Sequence, residues 1–371
     1  MKKSAALLFT ALCLFLLVGC GKKQDVQVST TVTQDAKYNA AVLPLSQEEF
    51  EKAGFRLGDS CEVVFENGCT LTDVPYYNGY YAKYAAPVIV SYPGFTNVVV
   101  TLDNKGIWDS AGLTENEAVT IRLTESGKYL AIQEVLGQVY SFDYADYAGS
   151  EQFCNFRSLS GGGLKKDFLY RGASPVDGSR GRAPYTDELL RAAGIGFVMD
   201  LADSAEDMAS YFADASFRSP YTKELYENGS VALFAMGPDF QSEDYRQKVA
   251  QGMRAMLGSS GPVYIHCMEG KDRTGFVCTL LEALAGASYD EMRNDYMKTY
   301  ENYYSVSAEK TPEKYDAIVA LYFDAFVALL HGTEDIGELK TADYVQDAAD
   351  YLISGGMSQE ETEQLRQFIT E

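Results

Sequence analysis

One segment constrains this chain more than any other, residues 261–285. Val263-Tyr264-Ile265 is an apolar run that reads as a buried strand. Thr274 to Ala285 reads as a helix, with Phe276, Val277, Leu280, Leu281 and Leu284 toward a core and Gly286 as its stop. Between them lies the loop His266-Cys267-Met268-Glu269-Gly270-Lys271-Asp272-Arg273. A strand that feeds a loop into a helix sets the loop's amides at a helix N-terminus. There the converging N–H groups and the positive end of the helix dipole favour an anion.

The surroundings of this unit have the same texture. From about residue 150, the runs Gly196 to Leu201, Val231 to Ala235 and Val263 to His266 alternate with longer amphipathic stretches. This predicts an α/β fold with a central, mainly parallel sheet flanked by helices over 150–371. The tail is helical. One helix is predicted over Pro312 to Leu330, with Ile318, Leu321, Tyr322, Ala325, Phe326 and Leu329 on one face, and Ser358 opens a last helix through a capping box. Residues 45–149 differ. Short β-prone runs at 63–65, 88–90, 98–102, 119–123 and 129–132 are separated by turn signals such as Glu66-Asn67-Gly68 and Tyr92-Pro93-Gly94. They predict a small all-β domain. No site constellation stands out there, and Tyr76, Tyr77, Tyr80, Tyr81 and Tyr84 read as aromatic packing.

Cys267 and Arg273 are separated by five residues. A loop of that length wraps one phosphoryl group. The backbone amides from Met268 through Glu269, Gly270, Lys271 and Asp272 to Arg273 bind its oxygens, and the Arg273 guanidinium adds a bidentate clamp. The Cys267 sulfur then lies beneath phosphorus as a nucleophile. Gly270 permits the tight backbone, Thr274 can give its hydroxyl to a thiolate, and His266 positions the loop.

At these residues the chain resembles the Cys-dependent protein tyrosine phosphatase superfamily. The form His266-Cys267-x-x-Gly270-Lys271-Asp272-Arg273-Thr274-Gly275 is similar to a bacterial branch of tyrosine-phosphatase-like enzymes that accept phosphotyrosine and phosphoinositides. Asn155-Phe156-Arg157, Leu169-Tyr170-Arg171-Gly172 and Val198-Met199-Asp200-Leu201 resemble further motifs of that branch, with Ser158 and Ala202 standing where it usually has Asp and Arg. The resemblance covers roughly 150–371. It implies a phosphomonoesterase with a cysteinyl-phosphate intermediate. Two acids compete to protonate the leaving group: Asp272 in the loop, the first choice, and Asp239 in Gly237-Pro238-Asp239, the alternative. Lys271 would meet a second anionic group of the substrate. The rival readings are an inositol polyphosphate phosphatase and a catalytically weak surface protein that binds a phosphorylated ligand.

The N-terminus reads as an address. Lys2 and Lys3 precede the apolar run Ala5 to Val18, and Leu17-Val18-Gly19-Cys20 resembles a lipobox. Residues 1–19 are then a lipoprotein signal peptide, Cys20 a lipidation site, and 20–44 a polar tether. The expectation is an exported protein held to the outer face of the cell membrane. A net charge of −22 over 371 residues argues against nucleic acid as a partner. The expected partner is a phosphorylated protein or a phosphoinositide. His266 and His331 are the only histidines, so no His/Cys metal cluster is available, and neither metal nor cofactor is expected. Cys61 and Cys69 flank a predicted hairpin and are read equally as a disulfide or as two thiols, while Cys154 and Cys278 read as core residues.

Overall fold

A computed structural model describes residues 26–138, 140–259 and 261–370. The proposed signal segment 1–19 and Cys20 lie outside them. Seven strands come first: β1 (Gln27–Asp35), β2 (Ala40–Val42), β3 (Ser60–Phe65), β4 (Thr70–Tyr77), β5 (Pro87–Val90), β6 (Val99–Leu102) and β7 (Glu117–Glu125). They close into a barrel in the order β1-β2-β6-β5-β4-β3-β7, antiparallel throughout except for the parallel pair β4–β5. Closure leaves no edge strand to protect. The barrel encloses Val32, Phe50, Phe55, Val63, Tyr76, Ile89 and Trp108, with Phe50 stacked on Phe55 at 4.2 Å.

Two sequence expectations change here. The tether does not extend to residue 44, because β1 and β2 occupy most of 27–42. Thr, Ser and Gln dominate β1, which makes it read as linker, yet Val28 and Val32 alternate toward the barrel interior as a strand requires. Tyr129–Ile132 is not a strand. Leu130–Leu136 is a helix, in which Leu130, Ala131, Gln133, Glu134 and Leu136 are strong helix formers, and it ends at Gly137 and packs inward through Gln133 and Leu136. Cys61 and Cys69 are both free thiols.

The second layer is a five-stranded sheet of β8 (Arg157–Ser158), β9 (Leu169–Gly172), β10 (Phe197–Asp200), β11 (Val231–Leu233) and β12 (Val263–His266), in the order β11-β10-β12-β9-β8. β12 pairs parallel with β9 and β10, β11 pairs parallel with β10, and the edge strand β8 runs antiparallel. All four residues of β12 are buried, as expected of a central strand covered on both faces. The loop helix (Asp272–Leu284) follows it, buried along nearly its whole length.

The tail departs from the single helix predicted over 312–330. Pro312–Ile318 and Asp324–His331 are α-helical, but Val319–Phe323 between them is a π-turn. The extra residue rotates the apolar face. Ala325 is exposed, and Val319, Phe323 and Val327 take the buried positions instead.

Barrel and sheet share a core. On β4, Tyr76 points into the barrel while Tyr77 points into the core of the sheet layer. On β5, Ile89 points in, and Val88 and Val90 point out to join Leu201, Phe240 and Phe276. Strands buried on both faces lose the polar alternation of a free-standing domain, which explains the unbroken Pro87-Val88-Ile89-Val90 run. The five tyrosines of 76–84 are buried or half-buried at this junction.

Candidate active site

The loop after β12 is held from outside, one carbonyl at a time. His266 Nδ1 lies 3.2 Å from the Cys267 oxygen. The Ser174 amide donates to Met268 O at 3.0 Å, and the Tyr303 hydroxyl to Glu269 O at 2.8 Å. Gly270 O accepts from both Asn155 (3.2 Å) and Arg171 (2.9 Å). Four successive carbonyls therefore point away from the loop's centre. Among the described residues, none of the amides of Met268, Glu269, Gly270 or Lys271 donates to a protein acceptor. A ring of unused N–H groups at a helix N-terminus is an oxyanion cradle.

The supports are themselves anchored. Arg171, fully buried, meets Asp295 at 2.6 Å, and Arg157 meets the same carboxylate at 2.6 Å. Burial pushes Asp295 upward, but the two guanidinium groups outweigh this and hold it below the ordinary carboxylate range. Both arginines thus act on loop geometry through a buried ion pair. The tight turn falls at Gly270, with φ of 66°, where an added Cβ would sit 2.1 Å from Gly172 O.

Cys267 opens the loop and is 4% exposed. The Thr274 hydroxyl is buried without a partner, so it is free to donate toward the sulfur. Arg273 gives one nitrogen to Met236 O at 2.8 Å and another to the Tyr38 hydroxyl at 3.3 Å. His266 lies 3.8 Å from Asp200. Burial brings the imidazole down to about 4 and pushes the Asp200 carboxyl well up, helped by the nearby Asp203 charge. His266 is therefore neutral near pH 7 and serves the loop's geometry. Cys154 and Cys278 are buried, and burial raises their thiols to about 11 and about 12.

The two acids predicted to compete are placed differently. The Asp272 side chain is 59% exposed and faces the cleft above Cys267. Desolvation in the cleft raises its pKa, against the pull of Lys271. The Asp239 carboxylate accepts from the Tyr84 hydroxyl at 2.7 Å and the Gln241 amide at 3.1 Å, and it does not line the cleft, although Pro238 and Phe240 do. Lys271 is buried beside Tyr92, Asp272 and Tyr304. Glu269 lies 3.6 Å from Arg180; burial pushes it up, but Lys271 and Arg180 hold it below its ordinary value.

Half of the cleft wall comes from the barrel, where the sequence had shown no site. Tyr38, Tyr80, Tyr92, Phe95 and Asp103 face Cys267, Asp272 and Arg273 across a cavity of about 130 Å³. Asp103 is buried, and desolvation pushes its carboxyl well above the ordinary range. Nothing in the pattern of residues 35–103 signals these roles, because each depends on a long-range contact. Among the described residues no group of three or more His, Cys, Asp or Glu gathers as a metal site, and no helix is long and apolar enough to cross a membrane.

Comparison with known proteins finds a family match over the second layer. No curated protein matches the chain. A solved structure described as an uncharacterized conserved protein from Thermotoga maritima aligns at 8% identity over 28% of this chain, with a TM-score of 0.24. The aligned part spans 40% of that protein's length. The tyrosine phosphatase family matches residues 149–371, which hold the sheet, the loop and the helical tail. On that match, over more than half of its length, the chain belongs to the tyrosine phosphatase family.

Proposed function

We propose that this protein is a phosphomonoesterase that works through a cysteinyl-phosphate on Cys267, with phosphotyrosine as its favoured substrate. The observation that carries the reading is the loop whose carbonyls all turn outward, which leaves an amide ring around the Cys267 sulfur. The thiolate attacks phosphorus while the amides and Arg273 hold the equatorial oxygens. Thr274 steadies the sulfur. Asp272 gives its proton to the leaving phenolate, then takes one from the water that releases phosphate. Asp239, tied to Tyr84 outside the cleft, has no part in this scheme.

Substrate preference follows from the cleft. Its volume, about 130 Å³, is close to that of the apolar cavity of about 150 Å³ that holds one benzene ring. Tyr80, Tyr92, Phe95 and Phe240 offer aromatic walls to a planar ring. An inositol polyphosphate or phosphoinositide headgroup needs several free cations. Here Arg180 is paired with Glu269, and Lys271 is buried against Tyr304 and donates to the Tyr92 hydroxyl. The N-terminal features add an exported lipoprotein anchored through Cys20.

The test is phosphate release from a phosphotyrosine peptide, a phosphoserine peptide, phosphoinositide vesicles and inositol hexakisphosphate, with Cys267→Ser as control. Release led by phosphotyrosine and lost in the variant supports the reading. Preference for phosphoinositide would overturn the substrate assignment. No release from any of them, with phosphate still bound, would make the protein a phospho-ligand binder.

A further inference from the structure

The barrel reaches the phosphate loop through Tyr92, which meets Glu269 and Lys271, and through the turn between β1 and β2, which meets Arg273. Asp35 caps this turn, its carboxylate accepting from the amides of Lys37 (3.0 Å) and Tyr38 (3.2 Å). Asn39 takes a left-handed φ of 51°, and its carbonyl accepts from Ile107 (2.7 Å) and Trp108 (2.9 Å). Lys37 then crosses to the sheet layer and meets Asp203 at 2.9 Å, where that carboxylate is only 2% exposed. A short turn fixed at three places carries the side chain between its anchors to a defined position. That side chain is Tyr38, whose ring lies 5.5 Å from the Arg273 guanidinium and whose hydroxyl accepts from it at 3.3 Å.

A phenol has one proton to donate besides its lone pairs. Arg273 uses a lone pair of Tyr38, and among the described residues no protein group accepts the Tyr38 proton. The cavity that Tyr38 lines is the one into which Cys267 and Arg273 open. A phosphoryl oxygen gripped by Arg273 in that cavity comes to the hydroxyl that Arg273 already touches. We propose that Tyr38 is a substrate-binding residue supplied by the barrel, its hydroxyl accepting from Arg273 and donating to a non-bridging oxygen of the bound phosphoryl group. The site is then shared between the two layers, and the tyrosine phosphatase region alone holds it incompletely. This inference rests on the phosphatase reading for its kinetics but not for its binding.

Tyr38→Phe keeps the ring over Arg273 and removes only the hydroxyl. Expected is a loss of about 10- to 100-fold in kcat/KM on an aryl phosphate, the range for one hydrogen bond to a charged group. The Kd for inorganic phosphate, read by calorimetry on the full protein, should weaken by a similar factor with the melting temperature unchanged. A lower melting temperature with wild-type kcat/KM and phosphate Kd would overturn the proposal and leave Tyr38 a packing residue. Should the wild type hydrolyse no ester, the phosphatase reading fails, yet the phosphate titration of wild type against Tyr38→Phe still decides the role of Tyr38. Should the variant not fold, a crystal structure of the wild type with phosphate decides it. The Tyr38 oxygen within about 3.2 Å of a phosphate oxygen supports the assignment, and a separation beyond about 4 Å overturns it.

Discussion

Gly270→Ala tests whether the loop's shape is what makes it work. Gly270 has φ of 66°, and a Cβ there would lie 2.1 Å from the Gly172 oxygen and 2.3 Å from its carbonyl carbon. Ordinary contact begins near ~3.5 Å, so loop and strand must part by about 1 Å or more. Neither gives way easily. Gly172 ends β9 and pairs with His266, and a Cβ on Gly172 itself would meet the Tyr264 hydroxyl at 2.6 Å. Gly270 O is held by Arg171 and Asn155. Left-handed backbone at a residue with a Cβ costs about 1–2 kcal/mol. Overpacking adds about 1–3 kcal/mol, for a predicted destabilisation of about 2–5 kcal/mol in urea unfolding. The same displacement shifts the amide ring relative to Cys267, and a misplacement of about 1 Å lowers turnover about 100-fold. Gly194→Ala is the control, with φ of 64° and nothing within 4 Å of its Cβ. It should lose about 1–2 kcal/mol and keep full activity. Wild-type turnover and stability in Gly270→Ala would refute the reasoning.

Two predictions concern protons. With its pKa raised in the cleft, Asp272 stays protonated to higher pH than an ordinary carboxyl, and activity on phosphotyrosine should fall as pH rises through that pKa. Asp272→Asn should abolish this alkaline limb and lower kcat about 100-fold or more, with a smaller loss on p-nitrophenyl phosphate, whose leaving group needs no proton; persistence of the limb would move the acid role to Asp103. His266 is held down to about 4 in the fold against an ordinary 6.5. The unfolded chain therefore binds a proton that the fold refuses between these values, and stability is lost as pH falls from 6.5 toward 4. The full loss from this group is about 3 kcal/mol. Unfolding curves of His266→Asn should be flatter across that window, and parallel curves would show that His266 is not the group responsible.

The parts of this site that were legible lie within one stretch of chain. His266 to Thr274 carries strand, turn, nucleophile and clamp in consecutive positions, so local pattern is enough to assemble them. Arg157 and Arg171 stand in short motifs that carry the resemblance, but their common partner Asp295 lies 124 or more residues away. Tyr38 meets Arg273 across 235 residues and sits in a segment whose Thr, Ser and Gln content reads as linker. Asp239 follows a proline after a strand and reads as the alternative acid, yet its position is decided by Tyr84 on the barrel. The π-turn at Val319–Phe323 was hidden because either register of that helix offers apolar side chains. It brings Tyr322 to the cleft, where its hydroxyl donates to Tyr80 O at 2.7 Å. The missing information was long-range contact, within the sheet layer for Asp295 and between barrel and sheet layer for Tyr38, Asp239 and Tyr322.

The most direct test of the central claim is to catch the covalent intermediate. The protein would be mixed with a ³²P-labelled phosphotyrosine peptide, quenched in acid within one turnover, digested and mapped. The account predicts label on the peptide that contains Cys267, and none in Cys267→Ser. Steady hydrolysis with no label on Cys267, or label that survives the substitution, would contradict it.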